Sequence, residues 1–146
     1  MSKHKTGYDY VPDGGARRVI GPGELKFAAA GLDHGHIYAQ TQGLINVGAE
    51  CKWVWDTDRG RIDAFLQKFP GVPVADSLET ILNDPDVKLV ANAGIPAHRC
   101  DMGLKVLRAG KDFFVDKPPF TTLEQLSQAR KLVAETGLKY MPYFAE

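Results

Sequence analysis

The sequence predicts an α/β fold, a doubly wound parallel sheet with helices on both faces. Three observations carry that expectation. Leu25 to Val47 reads as an apolar run (Phe27-Ala28-Ala29-Ala30), a glycine turn through Gly31 and Gly35, and then a helical pattern. The same alternation of short apolar strand and amphipathic helix recurs to the end of the chain, the pattern that right-handed βαβ crossovers leave. Glycine or proline marks most changes of period, where a helix must stop before the next strand begins.

Residues 1–24 contain two turn signals, Pro12-Asp13-Gly14-Gly15 and Gly21-Pro22-Gly23. They read as an N-terminal extension, an arm or irregular tail with Arg18-Val19-Ile20 as a candidate short strand. Residues 25–146 form one domain. The first strand covers about Leu25–Ala30, and the first helix runs from near Gly35 to Val47, where Gly48 stops it. The second strand is Glu50–Trp55, with Cys51, Trp53 and Trp55 alternating against Lys52 and Val54, and it ends at Asp56. A helix over about Asp58–Phe69 places Ile62, Phe65, Leu66 and Phe69 on one stripe, and Pro70-Gly71 ends it. Val72-Pro73-Val74 is a short third strand that its proline confines to an edge. Ser77 caps a short helix, Leu78–Asn83, closed by Asp84-Pro85.

The fourth strand is Lys88–Ala91. After Gly94-Ile95-Pro96 a helix runs from about His98 to Ala109, with Leu104 and Leu107 on its apolar stripe and Gly110 beyond its end. The fifth strand is Asp112–Val115. Thr122 and Gln125 form a capping box for the last helix, which runs through Glu135 and stops at Gly137. Leu138–Phe144 is the sixth strand. The expected strand order is 3-2-1-4-5-6, with ligand in the crevice at the switch between strands 1 and 4.

Composition removes several function classes. Lysine plus arginine and aspartate plus glutamate both number 18, so no basic surface for nucleic acid stands out. No apolar run approaches the roughly 20 residues that span a bilayer. The N-terminus has charge but no apolar segment behind it, so no secretory signal is expected. Cys51 and Cys100 lie far apart without metal spacing. They read as reduced packing residues, with the cytoplasm as the default compartment.

A dinucleotide fingerprint requires Gly-x-Gly-x-x-Gly, and here the six positions read Gly31-Leu32-Asp33-His34-Gly35-His36. The first glycine is present. Asp33 stands at the second, where a carboxylate adds bulk, repels an anion and could cap the helix with the amides a phosphate would use. Asp56 follows Gly31 by 25 positions at the end of the second strand. There a carboxylate accepts hydrogen bonds from the adenosine ribose hydroxyls of NAD and repels the 2′-phosphate of NADP. Turning a chain or capping the next helix is the plainer role for Asp56. His34 and His36 invite a metal, but no third ligand has suitable local spacing, so none is expected and they read as cofactor-facing loop residues. Val115-Asp116-Lys117-Pro118-Pro119 places a lysine at the carboxyl end of a central strand, aimed at the ligand crevice. Its ammonium could hold a substrate hydroxyl and stabilise developing alkoxide, with Asp116 orienting it or contacting the nicotinamide ribose.

Taken together, Gly31…Gly35-His36, Asp56, Ile95-Pro96-Ala97-His98, Leu107-Arg108-Ala109-Gly110-Lys111 and Asp116-Lys117-Pro118 resemble the N-terminal Rossmann domain of the glucose–fructose oxidoreductase / inositol dehydrogenase (Gfo/Idh/MocA) family. The resemblance runs from about Leu25 to the end. That family usually has Glu-Lys-Pro where Asp116-Lys117-Pro118 stands, so Asp116 shortens the reach. The resemblance implies NAD(P)-dependent hydride transfer at a carbinol carbon of a sugar, cyclitol or polyol, and Asp56 makes NAD the expected cofactor over NADP. The resemblance also implies Lys117 as the active-site lysine and Ala93, Gly94, Ile95, Pro96 and His98 along the nicotinamide side of the crevice. The family's C-terminal substrate domain is absent, so the chain is expected to be a fragment that binds cofactor weakly and turns over nothing. Homo-oligomers are expected only with that domain. Two readings stay open beside it: a non-catalytic Rossmann-like binding or regulatory module, and another nucleotide in the same crevice. The lack of Gly-x-x-x-x-Gly-Lys-Ser/Thr counts against phosphoryl transfer.

Overall fold

A computed structural model describes residues 17–144. Five strands, β1 (Lys26–Ala30), β2 (Glu50–Trp55), β3 (Val87–Asn92), β4 (Asp112–Asp116) and β5 (Tyr140–Tyr143), form one sheet in the order β2-β1-β3-β4-β5. Every pairing is parallel. Five helices connect and cover them: α1 (His36–Asn46), α2 (Arg59–Lys68), α3 (Leu78–Asn83), α4 (Pro96–Arg108) and α5 (Leu123–Thr136).

The caps explain where the helices begin. Asp58, Ser77 and Thr122 each accept a hydrogen bond from the amide three residues on, at Arg61, Thr80 and Gln125, which satisfies a donor that helix geometry leaves orphaned. Gly137 closes α5 in the left-handed conformation (φ 70°). The helix expected from about His98 starts two residues earlier, because Pro96 occupies its first turn, where a fixed φ and a missing N–H cost nothing.

Three local expectations change. The third strand shrinks to a single parallel bridge, Val54 to Val74, since Pro73 has no N–H to extend a ladder. Beside β2 it still takes the outer place that the 3-2-1-4-5-6 order gave it. Arg18-Val19-Ile20 forms no strand: the amides of Val19 and Ile20 both donate to one carbonyl, Val47 O, at 3.0 Å, a sharing that a ladder does not allow. The turn signal at Pro12–Gly15 lies outside the described residues. Finally, β2 does not alternate throughout. Phe27 pairs with Cys51 but Ala28 pairs with Trp53, so Lys52 is the extra residue of a bulge. Cys51 consequently packs with Phe27 and Val54, while Trp53 and Trp55 pack on the other layer with Ala28 and Ala30.

The core lies in two layers. On one face Phe27, Ala29, Leu89 and Ala91 of the sheet meet Ile37 of α1 and Ile62 and Phe65 of α2. On the other, Ala28, Val90, Phe113 and Val115 meet Leu78 and Ile81 of α3 and Val106 of α4. Alanines along β1 let the layers approach closely, and fully buried Phe27, Phe65 and Phe113 contribute up to roughly 3 kcal/mol each by leaving water. At Gly103 a Cβ would stand 2.6 Å from the rings of Phe113 and Tyr140, so glycine sets how near α4 lies to the sheet. Both cysteines are free, and burial pushes the Cys51 thiol up to about 12, which suits a packing residue.

Candidate cofactor-binding site

All five strands point their carboxyl ends to one edge, and the β1–β3 boundary is where successive crossovers part to opposite faces. The turn there is set by Gly31, at φ +82°. A Cβ on Gly31 would collide with the side-chain amide of Asn92. Asn92 Nδ2 donates to Ala30 O (2.6 Å) and its Oδ1 accepts from Gly94 N (3.1 Å), which ties the ends of β1 and β3 together. Sequence reading had given Asn92 no role.

The turn leading into α1 is open, although the amides of Ile37 and Tyr38 in the first turn itself donate to His34 O and Gly35 O. The N-cap of α1 is Gly35, which has no side chain to cap it, and no acidic residue sits in its first turn. His34 N donates to Ala93 O, and His36 N donates to His34 Nδ1 (3.2 Å). Among the described residues no hydrogen bond engages the amides of Asp33 and Gly35. Free amides in a glycine turn that leads into the positive end of a helix suit an anionic diphosphate.

Asp33 therefore does not cap α1. Its Oδ1 lies 3.1 Å from Arg61 Nη2. Arg61 Nη1 also donates to Asp56 Oδ1 at 3.0 Å, and Asp56, Asp33 and Asp58 together hold the guanidinium in its charged form. The Asp56 side chain, 3% exposed, accepts two more bonds, from Leu32 N (2.6 Å) and Asp58 N (2.8 Å). It both fastens the glycine turn to β2 and opens α2, so the turn-forming role and the pocket-facing role coexist.

At the other end, Asp116 closes β4 almost fully buried, facing equally buried Arg99 with Nη2–Oδ2 at 3.1 Å. Arg99 spans the floor of the crevice. Its Nε donates to Gly94 O (2.7 Å), and its Nη1 donates to Asp116 O (3.1 Å) and Pro118 O (3.2 Å). The Lys117–Pro118 peptide is cis. His36 Nδ1 lies 2.8 Å from Asp116 Oδ1 and His34 Nδ1 lies 3.5 Å from Asp116 Oδ2. The structure thus brings to His34 and His36 the third potential metal ligand, 80 residues away, that local spacing does not offer. Asp116 pairs with Arg99 and with His36 Nδ1, and His34 Nδ1 accepts from the His36 amide. The group works as a hydrogen-bonded brace between α1 and β4.

Two cavities lie along this edge. One, about 270 Å³, is lined by Gly31, Asp33, Asp56, Arg61 and His98. The other, about 470 Å³, is lined by Asp33, His34, His36, Asp116 and Lys117. They share Asp33, Gly94, Ile95 and Arg99, so Asp56 and Lys117 border one continuous trench, with exposed Ile95 on its lip. Two expected lining residues move. Ala93 is fully buried in the core and serves through its backbone, taking His34 N and giving its amide to Gly31 O. His98, in the first turn of α4, lines the Asp56 cavity and not the Lys117 one. Pro118 is exposed beside Lys117.

Sheet order, open helix end and trench define a dinucleotide-binding α/β domain of the Rossmann class. More narrowly, the chain belongs to the Gfo/Idh/MocA oxidoreductases: the family described as "Oxidoreductase family, NAD-binding Rossmann fold" matches residues 19–144. An oxidoreductase-type protein from Erwinia carotovora atroseptica is 47% identical, with a TM-score of 0.79 over 82% of this chain and 36% of its own. The uncharacterized oxidoreductase YhhX of Escherichia coli is 38% identical over 66 residues, 45% of this chain and 19% of that protein. An NAD-binding protein from Listeria innocua shares the fold at 23% identity and a TM-score of 0.73, over 82% of this chain and 35% of its own. The chain spans about a third of the length of these solved relatives. Among the described residues no helix is long and apolar enough to cross a membrane.

Proposed function

We propose that this chain is the cofactor-binding part of an oxidoreductase that moves hydride between a nicotinamide dinucleotide and a carbinol carbon of a sugar, cyclitol or polyol. The observation that carries the reading is the shared trench: Asp56 at one end, Lys117 at the other, and the uncapped start of α1 between them. The residues fit such a group. Asp33 and Gly35 amides would hold the diphosphate, Asp56 has a remaining lone pair for a ribose hydroxyl, which favours NAD over NADP, and the Asp116 end would hold the nicotinamide. When bound, the nicotinamide supplies the hydride acceptor or donor.

Lys117 Nζ would donate to the substrate oxygen and stabilise the alkoxide that develops as hydride leaves the carbon. Arg99 fixes the backbone on either side of that lysine by donating to Asp116 O and Pro118 O. The chain alone is expected to bind cofactor without turnover, since substrate contacts would come from a further domain. The non-catalytic reading rests on Asp33 as a bulky anion in place of the second fingerprint glycine, and Arg61 offsets that charge.

In a full-length enzyme carrying this domain, Lys117→Ala is expected to lower kcat by about 10² or more, as loss of one preorganised charge-stabilising donor does, while NADH affinity stays within about threefold. An unchanged kcat would contradict the assignment.

A further inference from the structure

We propose that Arg61 is the residue that makes the Asp33 turn compatible with a dinucleotide, and that it also tunes discrimination between NADH and NADPH. The proposal rests on the nicotinamide-dinucleotide reading above. A glycine at the second fingerprint position brings no charge to the diphosphate, whereas Asp33 brings a full negative one. In this fold one guanidinium spans two carboxylates from different βα units, Asp33 at 3.1 Å and Asp56 at 3.0 Å. The trio carries a single net negative charge with Arg61 and a double one without it.

Its placement fits that use. Arg61 stands in the first turn of α2, whose Ile62 and Phe65 are anchored in the core, so its stem starts from a fixed point. Its side chain is 39% exposed and lines the Asp56 cavity, within reach of a ligand, while Asp56 is nearly closed off. The other arginine on the trench, Arg99, is buried and spent on Asp116 and three carbonyls. Arg61 is therefore the guanidinium that answers both Asp33 near the diphosphate and Asp56 near the adenosine ribose.

The consequence is coupling. Arg61 matters most when Asp33 is charged, so the two residues act as one unit and their effects on binding do not add. Removing Arg61 also bares Asp56 toward a 2′-phosphate, so NADPH suffers more than NADH.

The test is a double-substitution cycle on this chain, read by NADH and NADPH fluorescence titration, with circular dichroism confirming the fold of each variant. Arg61→Met is expected to weaken NADH about tenfold, Asp33→Asn to change it by less than about threefold, and the double variant to return within about threefold of the parent. Arg61→Met should cost NADPH more than NADH. Arg61→Lys, which keeps the charge, should recover most NADH binding; if Arg61→Met fails to fold, the cycle run with Arg61→Gln, which removes the charge and keeps a hydrogen-bonding amide, carries the same signs. Additive losses in the double variant, or equal losses for the two nucleotides, overturn the proposal while parent binding leaves the cofactor reading standing. A parent chain that binds neither nucleotide overturns both.

Discussion

At the amino edge of the sheet Lys52 Nζ holds Asp84 (2.7 Å) and Asp86 (2.9 Å), Trp53 Nε1 donates to Asp84 (2.7 Å), and buried Lys111 Nζ donates to the carbonyls of Asp84 (2.6 Å) and Val87 (2.8 Å). At the carboxyl edge Arg61 holds Asp33 and Asp56, and Arg99 holds Asp116. Both edges thus carry cations on aspartates, yet they do different things. The amino-edge cluster closes on itself and stitches β2, β3 and β4 together from below. The carboxyl-edge pairs flank a trench and leave the amides of the turn before α1, two imidazoles and a lysine facing it. The polarity of a parallel sheet explains this, because loops leaving the carboxyl ends diverge at the switch point and those entering the amino ends do not. Ions at one edge serve cohesion, and ions at the other shape a site.

Breaking a pair at each edge separates the two roles. The largest effect is expected from Arg99→Ala, which strands the buried Asp116 carboxylate and cuts the tie from Gly94 to Pro118. Removing one partner of a buried pair costs about 3–5 kcal/mol, so chemical denaturation should show a marked loss of stability. His36, resting on Asp116, should lose its fixed orientation along with it. An Arg99→Ala chain as stable as the parent would make the carboxyl-edge pair no different from surface ions.

A smaller effect, with a definite sign in pH, is expected at the amino edge. Burial of Asp84 opposes ionisation, but Lys52, the Trp53 indole and the Asp86 amide outweigh it and hold the carboxyl well below its ordinary 3.8. A depressed folded-state value contributes stability that is fully present above the ordinary value and is lost as pH falls through the folded one. Denaturation midpoints should therefore fall as pH is lowered below 3.8, and Asp84→Asn, worth about 1 kcal/mol at neutral pH, should flatten that acid limb. A steep limb retained in Asp84→Asn would assign the acid sensitivity to other carboxylates.

Much of this was legible in the chain because it rests on local periods. The bounds of the five sheet strands and five helices fall within two residues of expectation, and the Gly31 turn, Asp56 and Lys117 reach one trench because parallel strands end together. What was hidden depends on distant partners. Arg99 looks like a solvated helix residue until Asp116, on another element, supplies its counter-charge. Arg61 reads as a surface residue three places after a cap, with nothing local to link it to Asp33. The Lys52 bulge conceals itself too, since an extra strand residue leaves hydrophobic alternation intact while turning Cys51 to the other face.

Amide chemical-shift mapping of this chain with NADH tests the central claim most directly. Shifts are expected to converge on Leu32–His36, Asp56–Arg61 and Gly94–Arg99, continue to Asp116 and Lys117, and spare the Lys52–Asp84 edge. Saturable shifts confined to the amino edge, or none at the glycine turn as NADH is raised, would contradict a dinucleotide lying between Asp56 and Lys117.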